Sequence, residues 1–357
     1  MGISPPLQGS IVSIVESRIG PTRGWDFTKE YTGLTDVSKL VNLMDSGVNQ
    51  MKWNILKILR EGRDYISGQV LSKKLGISRV SVWKHIRNLK EDGYVIESSA
   101  KGYQLVFSPD LLLPCEFPGW EQKVHHVRET RSTMSVAKEL VVKGAQEKTI
   151  VIAESQTHGR GRLGREWISP RGGIYFTLIL RPRISPMYAP RLNLMASVAV
   201  ARVIRSRYGL KAELKWPNDV LIRGKKVCGI LAEMGAETDV INFVNLGIGI
   251  NANTSVSQYE KRATSLKEEL GKEVSRKEFL NSVLKEIDEG QLLLTKGDLL
   301  EEWRSLSATL GRDVRILTLG GEIIGQAIDI DTTGALILKS EDGSLNSAIA
   351  GDCTYLS

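Results

Sequence analysis

The heptad Gly159-Arg160-Gly161-Arg162-Leu163-Gly164-Arg165 lies between a strand-like run at 149–153 and a stretch, 165–173, in which Pro170 and the Gly172-Gly173 pair forbid a helix. That setting restricts the fold more than any other feature of the chain. The spacing Gly159-x-Gly161-x-x-Gly164 matches a dinucleotide fingerprint, but such a fingerprint must open a helix whose N-terminus holds the pyrophosphate. The following residues therefore argue against a doubly wound dinucleotide fold. No GxxxxGK[ST] loop occurs either, which excludes ordinary P-loop chemistry. A supple loop carrying three arginines is left. Glycine tolerates unusual dihedrals and arginine offers a planar fork of donors, so the loop is suited to close over a polyphosphate. Its guanidiniums repel one another, and the loop is expected to order only when anions arrive. The bland alternative is a basic surface loop.

Charge is concentrated elsewhere. Of a net charge of +7, nearly all lies between Met51 and Phe107, with 11 Lys/Arg against 5 Asp/Glu. Such a surplus suits an anionic partner such as nucleic acid, or else a solvated basic face. Ile55, Leu56, Ile58 and Leu59 fall on one side of a helix that stops before Gly62. Ser67 is placed to cap a second helix bearing Val70, Leu71 and Leu75, which Gly76 ends. Ser78 caps a third, in which Val82, Ile86 and Leu89 recur at i, i+4 and i+7. Two helices joined by a glycine turn read as a helix-turn-helix. The runs 94–97 and 102–105, around a loop with Lys101, read as a β-hairpin wing. The apolar stripe of the third helix leaves Ser78, Arg79, Ser81, Trp83, Lys84 and Arg87 facing outward as candidate DNA contacts, with Lys101 added from the wing. A winged helix used for protein contacts is the competing reading.

The remaining organisation is read from punctuation and periodicity. Residues 1–48 are interrupted throughout by proline and glycine and are expected to be an unstructured extension with a short helix near 37–44, or the product of a misassigned start at Met44 or Met51. The winged unit then spans 49–107. Pro109, Pro114 and Pro118 mark a linker over 108–123. An α/β region over 124–309 contains strands at 149–153, 174–180 and 240–247 and helices at 132–142 and 189–207. Short β segments at 314–317, 323–329 and 335–339 suggest a small SH3-like barrel over 310–357. The fold class is thus α+β: a winged helix-turn-helix, a central mixed α/β domain and a small β-barrel. Cys115, Cys228 and Cys353 form no CxxC pair, so neither a zinc site nor a disulfide framework is supported, and a cytoplasmic location with no membrane contact is expected.

Read in order, Ser132-Thr133 at a helix start, Glu154-Ser155-Gln156, the heptad, Lys215-Trp216-Pro217-Asn218-Asp219, Lys226-Val227-Cys228-Gly229-Ile230-Leu231 and Gly247-Ile248-Gly249-Ile250-Asn251 form a specific set. From about Met51 onward the chain resembles bifunctional biotin protein ligases that also repress the biotin operon. The resemblance implies a biotin/lipoate-ligase-like central domain and a biotin pocket built from Ser132, Thr133, Met134, Gln156, Arg160 and Gly161, together with Arg162 and Lys226. Hydroxyls and an amide are the donor and acceptor types a ureido ring requires. Met134 stands where an asparagine commonly follows the Ser-Thr pair.

The resemblance further implies that Lys226 contacts the biotin carboxylate and the α-phosphate, that Arg162 covers the adenylate, and that Asp219 binds magnesium or orients the incoming amine. Arg165, Trp167, Lys215, Asn218 and Asn251 are implied in nucleotide binding, with Trp167 stacking on adenine and Asn251 at the adenine edge. ATP, biotin and Mg2+ are the implied cofactors. A biotin carboxyl carrier domain, operator DNA and a second copy of the adenylate-bound chain are the implied partners. Two other readings stay open: a biotin-sensing DNA-binding regulator without ligase activity, and a lipoate-type ligase, which would not satisfy the polar set at Ser132, Thr133 and Gln156.

Overall fold

A computed structural model describes residues 50–62, 64–237, 239–294, 298–318 and 320–356. The extension over 1–48 and its short helix lie outside the described residues. The chain divides into two compact units at Pro109/Asp110.

In the first unit a helix over 50–61 (α1) precedes α2 (Gly68–Leu75), α3 (Arg79–Glu91) and a hairpin of β1 (Val95–Ser99) and β2 (Gly102–Phe107). The capping expected from the sequence is present. Ser67 Oγ accepts from the Val70 N–H, Gly76 closes α2 at φ 66°, and Ser78 Oγ accepts from the Ser81 N–H. Only glycine takes that left-handed C-terminal position without a Cβ clash. Leu56, Leu71, Val82, Ile86 and Leu89 are buried and form the small core. Of the apolar residues of α2, Leu71 is buried and Val70 exposed.

The second unit is built on one large sheet in the order β3-β4-β6-β10-β9-β8-β7, with β5 against β4. Its strands are β3 (Val124–Thr130), β4 (Ile150–Arg160), β5 (Glu166–Ser169), β6 (Ile174–Leu180), β7 (Ala212–Lys215), β8 (Asp219–Ile222), β9 (Lys225–Ala236) and β10 (Ile241–Ile250). Only β3 and β4 run parallel, and α4 (Thr133–Val142) supplies the crossover a parallel pair needs. Alternation divides the two faces. Ile150, Ile152, Phe176 and Leu178 enter the main core with α5 (Pro190–Tyr208) and α7 (Arg276–Gln291), whereas Val151 and Ile179 pack with Ala137 of α4. A short α6 (Leu266–Leu270) follows the sheet, and α8 (Asp298–Leu306) precedes a five-stranded antiparallel sheet. That sheet comprises β11 (Asp313–Thr318), β12 (Gly321–Ile330), β13 (Leu336–Lys339), β14 (Leu345–Ala348) and β15 (Asp352–Tyr355).

Two expected boundaries are softer than the sequence suggested. Val314, Ile316, Ile330 and Leu336 of the C-terminal sheet share one continuous core with the central sheet. Trp216 fastens the two, its indole N–H donating to the Gly334 carbonyl at 3.2 Å. The proline-marked linker over 108–123 is likewise part of the second unit from Asp110 onward, with Leu112 and Phe117 fully buried. Proline stiffens a path but does not keep its neighbours in water.

A buried ionic knot secures this segment. Arg276 donates to Glu154 at 2.8 Å, to the Gly173 carbonyl at 3.0 Å and to Asp110 at 3.0 Å. Glu154 also accepts from the Leu112 N–H at 3.2 Å and meets His126 at 3.3 Å. Burial alone would raise the Glu154 carboxyl, but the His126 hydrogen bond, the Arg276 charge and bond and the Leu112 N–H outweigh it and hold it at about 2. A depressed carboxyl stabilises the fold above its unfolded value and stops doing so as pH falls through its folded value. The contribution, about 3 kcal/mol, is thus expected to vanish between about pH 4.5 and 2. In Glu154→Gln, stability followed by denaturant titration at a series of pH values should be lower at neutral pH and depend less on pH across that window; an unchanged slope would remove Glu154 from acid unfolding.

Candidate active site

The heptad is the tip of a hairpin rather than an open loop. Strand β4 parts from β6 after Ala153 while staying paired with β3 as far as Gln156, pairs with β5 through Gln156↔Ser169 and Gly159↔Trp167, and turns through a short 3-10 segment at Arg162–Gly164. Gly159 has no room for a side chain, because a Cβ there would lie 2.3 Å from the Trp167 carbonyl oxygen. Gly164 at φ 73° takes the left-handed turn that brings the chain back.

The hairpin tip borders a cleft of about 170 Å³ that also receives residues from α4, β7–β10 and β15. Lining it are Ser132, Thr133, Met134, Gln156, Arg160, Gly161, Arg162, Arg165, Trp167, Lys215, Asn218, Asp219 and Lys226. Every residue the resemblance assigned to biotin or to catalysis therefore meets in one place. Asn251 is the exception: it lies outside the lining, and its amide donates to the Thr264 carbonyl at 3.0 Å.

At one end of the cleft hydroxyls and an amide form a polar relay. Gln156 Oε1 accepts from the Thr133 N–H at 2.8 Å and from Thr133 Oγ1 at 3.2 Å, while its Nε2 donates to Ser169 Oγ at 2.9 Å. Thr177 Oγ1 donates to Thr133 Oγ1 at 2.8 Å. Ser132 caps α4, its Oγ accepting from the Met134 N–H at 3.3 Å, which leaves the hydroxyl proton to a ligand.

Much of the floor is bare backbone. Gly229 and Gly249 are cross-strand partners on β9 and β10, and Gly247 shares their face. A Cβ on Gly249 would fall 2.4 Å from Trp167 Nε1, and one on Gly247 would fall 2.6 Å from Met134 Sδ. The Trp167 indole rests on this floor with Lys226 Nζ 5.2 Å from its ring, and its buried N–H has no partner. A flat ring fits here because two strands carry glycine where other strands carry side chains.

Electrostatics supply the fourth element. Lys226 Nζ lies 2.7 Å from Asp219, Arg160 lies 2.7 Å from Glu233, and Arg165 is ion-paired with Asp352. Arg162 donates to Asn218 Oδ1 at 3.4 Å. Burial pulls the Arg162 guanidinium down, the charges of Asp219 and Asp352 push it back up, and Arg165 opposes them. Asp352 is held below the usual carboxylate range by its hydrogen bond from Arg165. The loop expected to await external anions is thus ordered by the protein's own carboxylates and one amide. Lys215 Nζ lies over the Tyr355 ring at 4.8 Å. Among the described residues no group of three or more His, Cys, Asp or Glu is arranged to hold a metal ion.

Sequence reasoning missed Ser169, Thr177, Glu233 and Asp352 entirely, and assigned no role to Gly229, Gly247 or Gly249. Glycine at alternate positions inside a strand was the available signal for the floor. For Asp352, brought in from the C-terminal sheet, the local sequence offers none.

In the first unit Arg79, Trp83, Lys84, Arg87 and Lys101 are exposed, as expected. Ser78 is exposed as well but spends its hydroxyl on the helix cap, and Ser81 is half-buried.

Comparison with known proteins is consistent along the chain. Residues 53–104 match the HTH domain model, 127–251 the biotin/lipoate A/B protein ligase family and 309–354 the biotin protein ligase C-terminal domain. The bifunctional ligase/repressor BirA of Bacillus subtilis is 38% identical over 299 residues, spanning 79% of this chain and 91% of that protein. The protein of the same name from Escherichia coli is 28% identical over 322 residues, spanning 87% and 98%. Among solved structures, a biotin protein ligase from Aquifex aeolicus in complex with biotin and ATP aligns with a TM-score of 0.57 at 31% identity, covering 66% of this chain and 98% of that one.

Proposed function

The chain belongs to the biotin protein ligase family, in its bifunctional ligase/repressor branch, and from that premise we infer that it activates biotin with ATP, transfers it to a protein lysine and represses transcription through its N-terminal unit. The observation that carries this reading is the meeting of Arg162 and Lys226, from distant parts of the sequence, in one cleft with a polar relay and a glycine floor.

The bicyclic ring of biotin suits the floor of Gly229, Gly247 and Gly249 once the Trp167 indole, which covers that floor in the unliganded chain, swings aside, with the ureido group toward Ser132, Thr133 and Gln156. Lipoate has no group to satisfy that relay. The biotin carboxylate oxygen attacks the α-phosphorus of ATP; a new P–O bond forms, the α–β phosphoanhydride breaks and pyrophosphate leaves. Magnesium enters with ATP as part of that substrate and shields its phosphates. Lys226 neutralises two anions that must approach each other and stabilises the charge that builds on phosphorus. Asp219 keeps Lys226 aimed into the cleft until phosphate replaces it, and is then free to face magnesium or to orient the incoming amine. Arg162, with Arg165, trades its internal partners for phosphate, so that the hairpin tip folds over the adenylate. A lysine amine of a carrier domain then attacks the acyl carbon, forming an amide and releasing AMP and a proton.

Trp167 lies where it can stack on the ligand, and Lys215 and Asn218 flank the phosphate path. Asn251 acts through the backbone that surrounds Lys226, since its N–H donates to Val227 and its carbonyl accepts from Leu266.

We place the protein in the cytoplasm, which suits three cysteines that are free and buried. No helix of the described residues is long and apolar enough to cross a membrane. The adenylate-loaded chain is proposed to dimerise on a two-fold operator, the exchange of Asn218 and Asp352 for phosphate at Arg162 and Arg165 supplying the difference between the two states that such coupling requires. Incubation of purified protein with radiolabelled biotin, ATP and magnesium should yield labelled adenylate alone, and a labelled carrier domain when one is added. Absence of both products would overturn the enzymatic reading.

A further inference from the structure

The outward side of α3 carries two exposed apolar side chains, Trp83, over whose ring Arg87 lies, and Val80, the more exposed of the two. Arg79 and Val80 are the first two helical residues after the Ser78 cap, and Val80 is 64% exposed. The basic residues of the helix separate into two kinds. Arg87 lies over the Trp83 ring at 5.3 Å and reaches Glu91 at 3.4 Å, so its own helix engages it. Arg79 and Lys84 make no ion pair among the described residues. The part of the helix open to a partner thus runs from its N-terminal turn through Lys84, and in the N-terminal turn a cation and an exposed valine are adjacent.

In a helix-turn-helix that turn meets base edges in the major groove. Most atoms there are hydrogen-bond donors or acceptors, and an aliphatic side chain pressed on them would strip water without replacing it. One group on that edge is apolar: the C5-methyl of thymine. We propose that Val80 is a specificity-determining residue that packs on a thymine methyl in each operator half-site, beside the base met by Arg79. The proposal rests on the reading of the first unit as a DNA binder. Val80 is thereby separated in role from Arg87, whose stacked and paired guanidinium belongs to the phosphate side of the helix.

The test uses the full chain supplied with biotin and ATP. Duplexes are selected from a random pool, and each thymine of the winning sequence is then replaced in turn by deoxyuridine, which lacks only the methyl. At one thymine per half-site the replacement should weaken binding about three- to tenfold, the worth of one buried methyl-sized contact. Val80→Ser should bind the thymine and deoxyuridine duplexes equally, while Val80→Ile should keep the penalty. If no replacement weakens the parent, or if Val80→Ser shows the parental penalty, the proposal fails while DNA binding stands. If no duplex is enriched at all, DNA binding fails and the proposal with it.

Discussion

Replacing Lys226 by alanine is expected to slow formation of biotinyl-5′-adenylate by about 10²–10³-fold, the usual effect of removing one aimed donor from a developing oxyanion. The fold should survive. The main-chain N–H of Lys226 donates to Arg262 and its carbonyl accepts from Thr264, and neither bond involves the ammonium group. What the substitution removes is the cation 2.7 Å from Asp219, leaving that carboxylate in the cleft without its ion-pair partner. Repulsion from Asp219 then adds to the lost attraction, so the loss should appear in the chemical step as well as in ATP affinity. Single-turnover measurement of adenylate by chromatography decides the matter. Formation at the parental rate, with an unchanged far-ultraviolet spectrum, would take Lys226 out of the reaction.

The second large effect concerns retention rather than synthesis. In Arg162→Gly the adenylate should still form but should escape about 10–100 times faster, as expected for the loss of one or two charge-assisted hydrogen bonds to phosphate. Arg162 is already partly stripped of water, and among the described residues its side chain's only hydrogen bond is a long one to Asn218 at 3.4 Å. It therefore gains more from a phosphate than an exposed arginine would. Released into water, the mixed anhydride acylates any lysine it meets, and bystander proteins in the same tube should become labelled. Filter-binding of preloaded protein measures the escape directly. A parental half-life for the bound adenylate would show that the hairpin tip is not a lid.

Local pattern made much of this molecule legible. The caps at Ser67, Ser78 and Gly76 and the stripe of Val82, Ile86 and Leu89 depend on neighbours within one or two turns, so the sequence contains everything that determines them. The same holds for β6, whose apolar run was read with the bounds it has. Illegible features depend on partners far along the chain. Asp352 meets Arg165 only because the C-terminal sheet packs beside the hairpin tip, and Glu233 meets Arg160 only because β9 runs well past β8. Without those two carboxylates the heptad looked like three repelling cations. With them it is ordered before any ligand arrives.

The segment after Pro109 was misjudged for a related reason. Three prolines resemble a spacer until Arg276, from α7, is seen to bind Asp110 and Glu154 together. Asn251 shows the opposite error, in which a residue at the end of a strongly marked motif has its side chain committed to the main chain at Thr264.

The central claim is that a guanidinium from the β4–β5 hairpin and an ammonium from β9 grip the same phosphoryl group of one acyl nucleotide. A crystal structure of the protein with a hydrolysis-resistant biotinyl-adenylate analogue tests it most directly. The expected result is a bicyclic ring over Gly229, Gly247 and Gly249, with Arg162 and Lys226 both within hydrogen-bonding distance of the phosphoryl oxygens. An analogue bound elsewhere, or one whose phosphoryl group meets neither residue, would contradict the account.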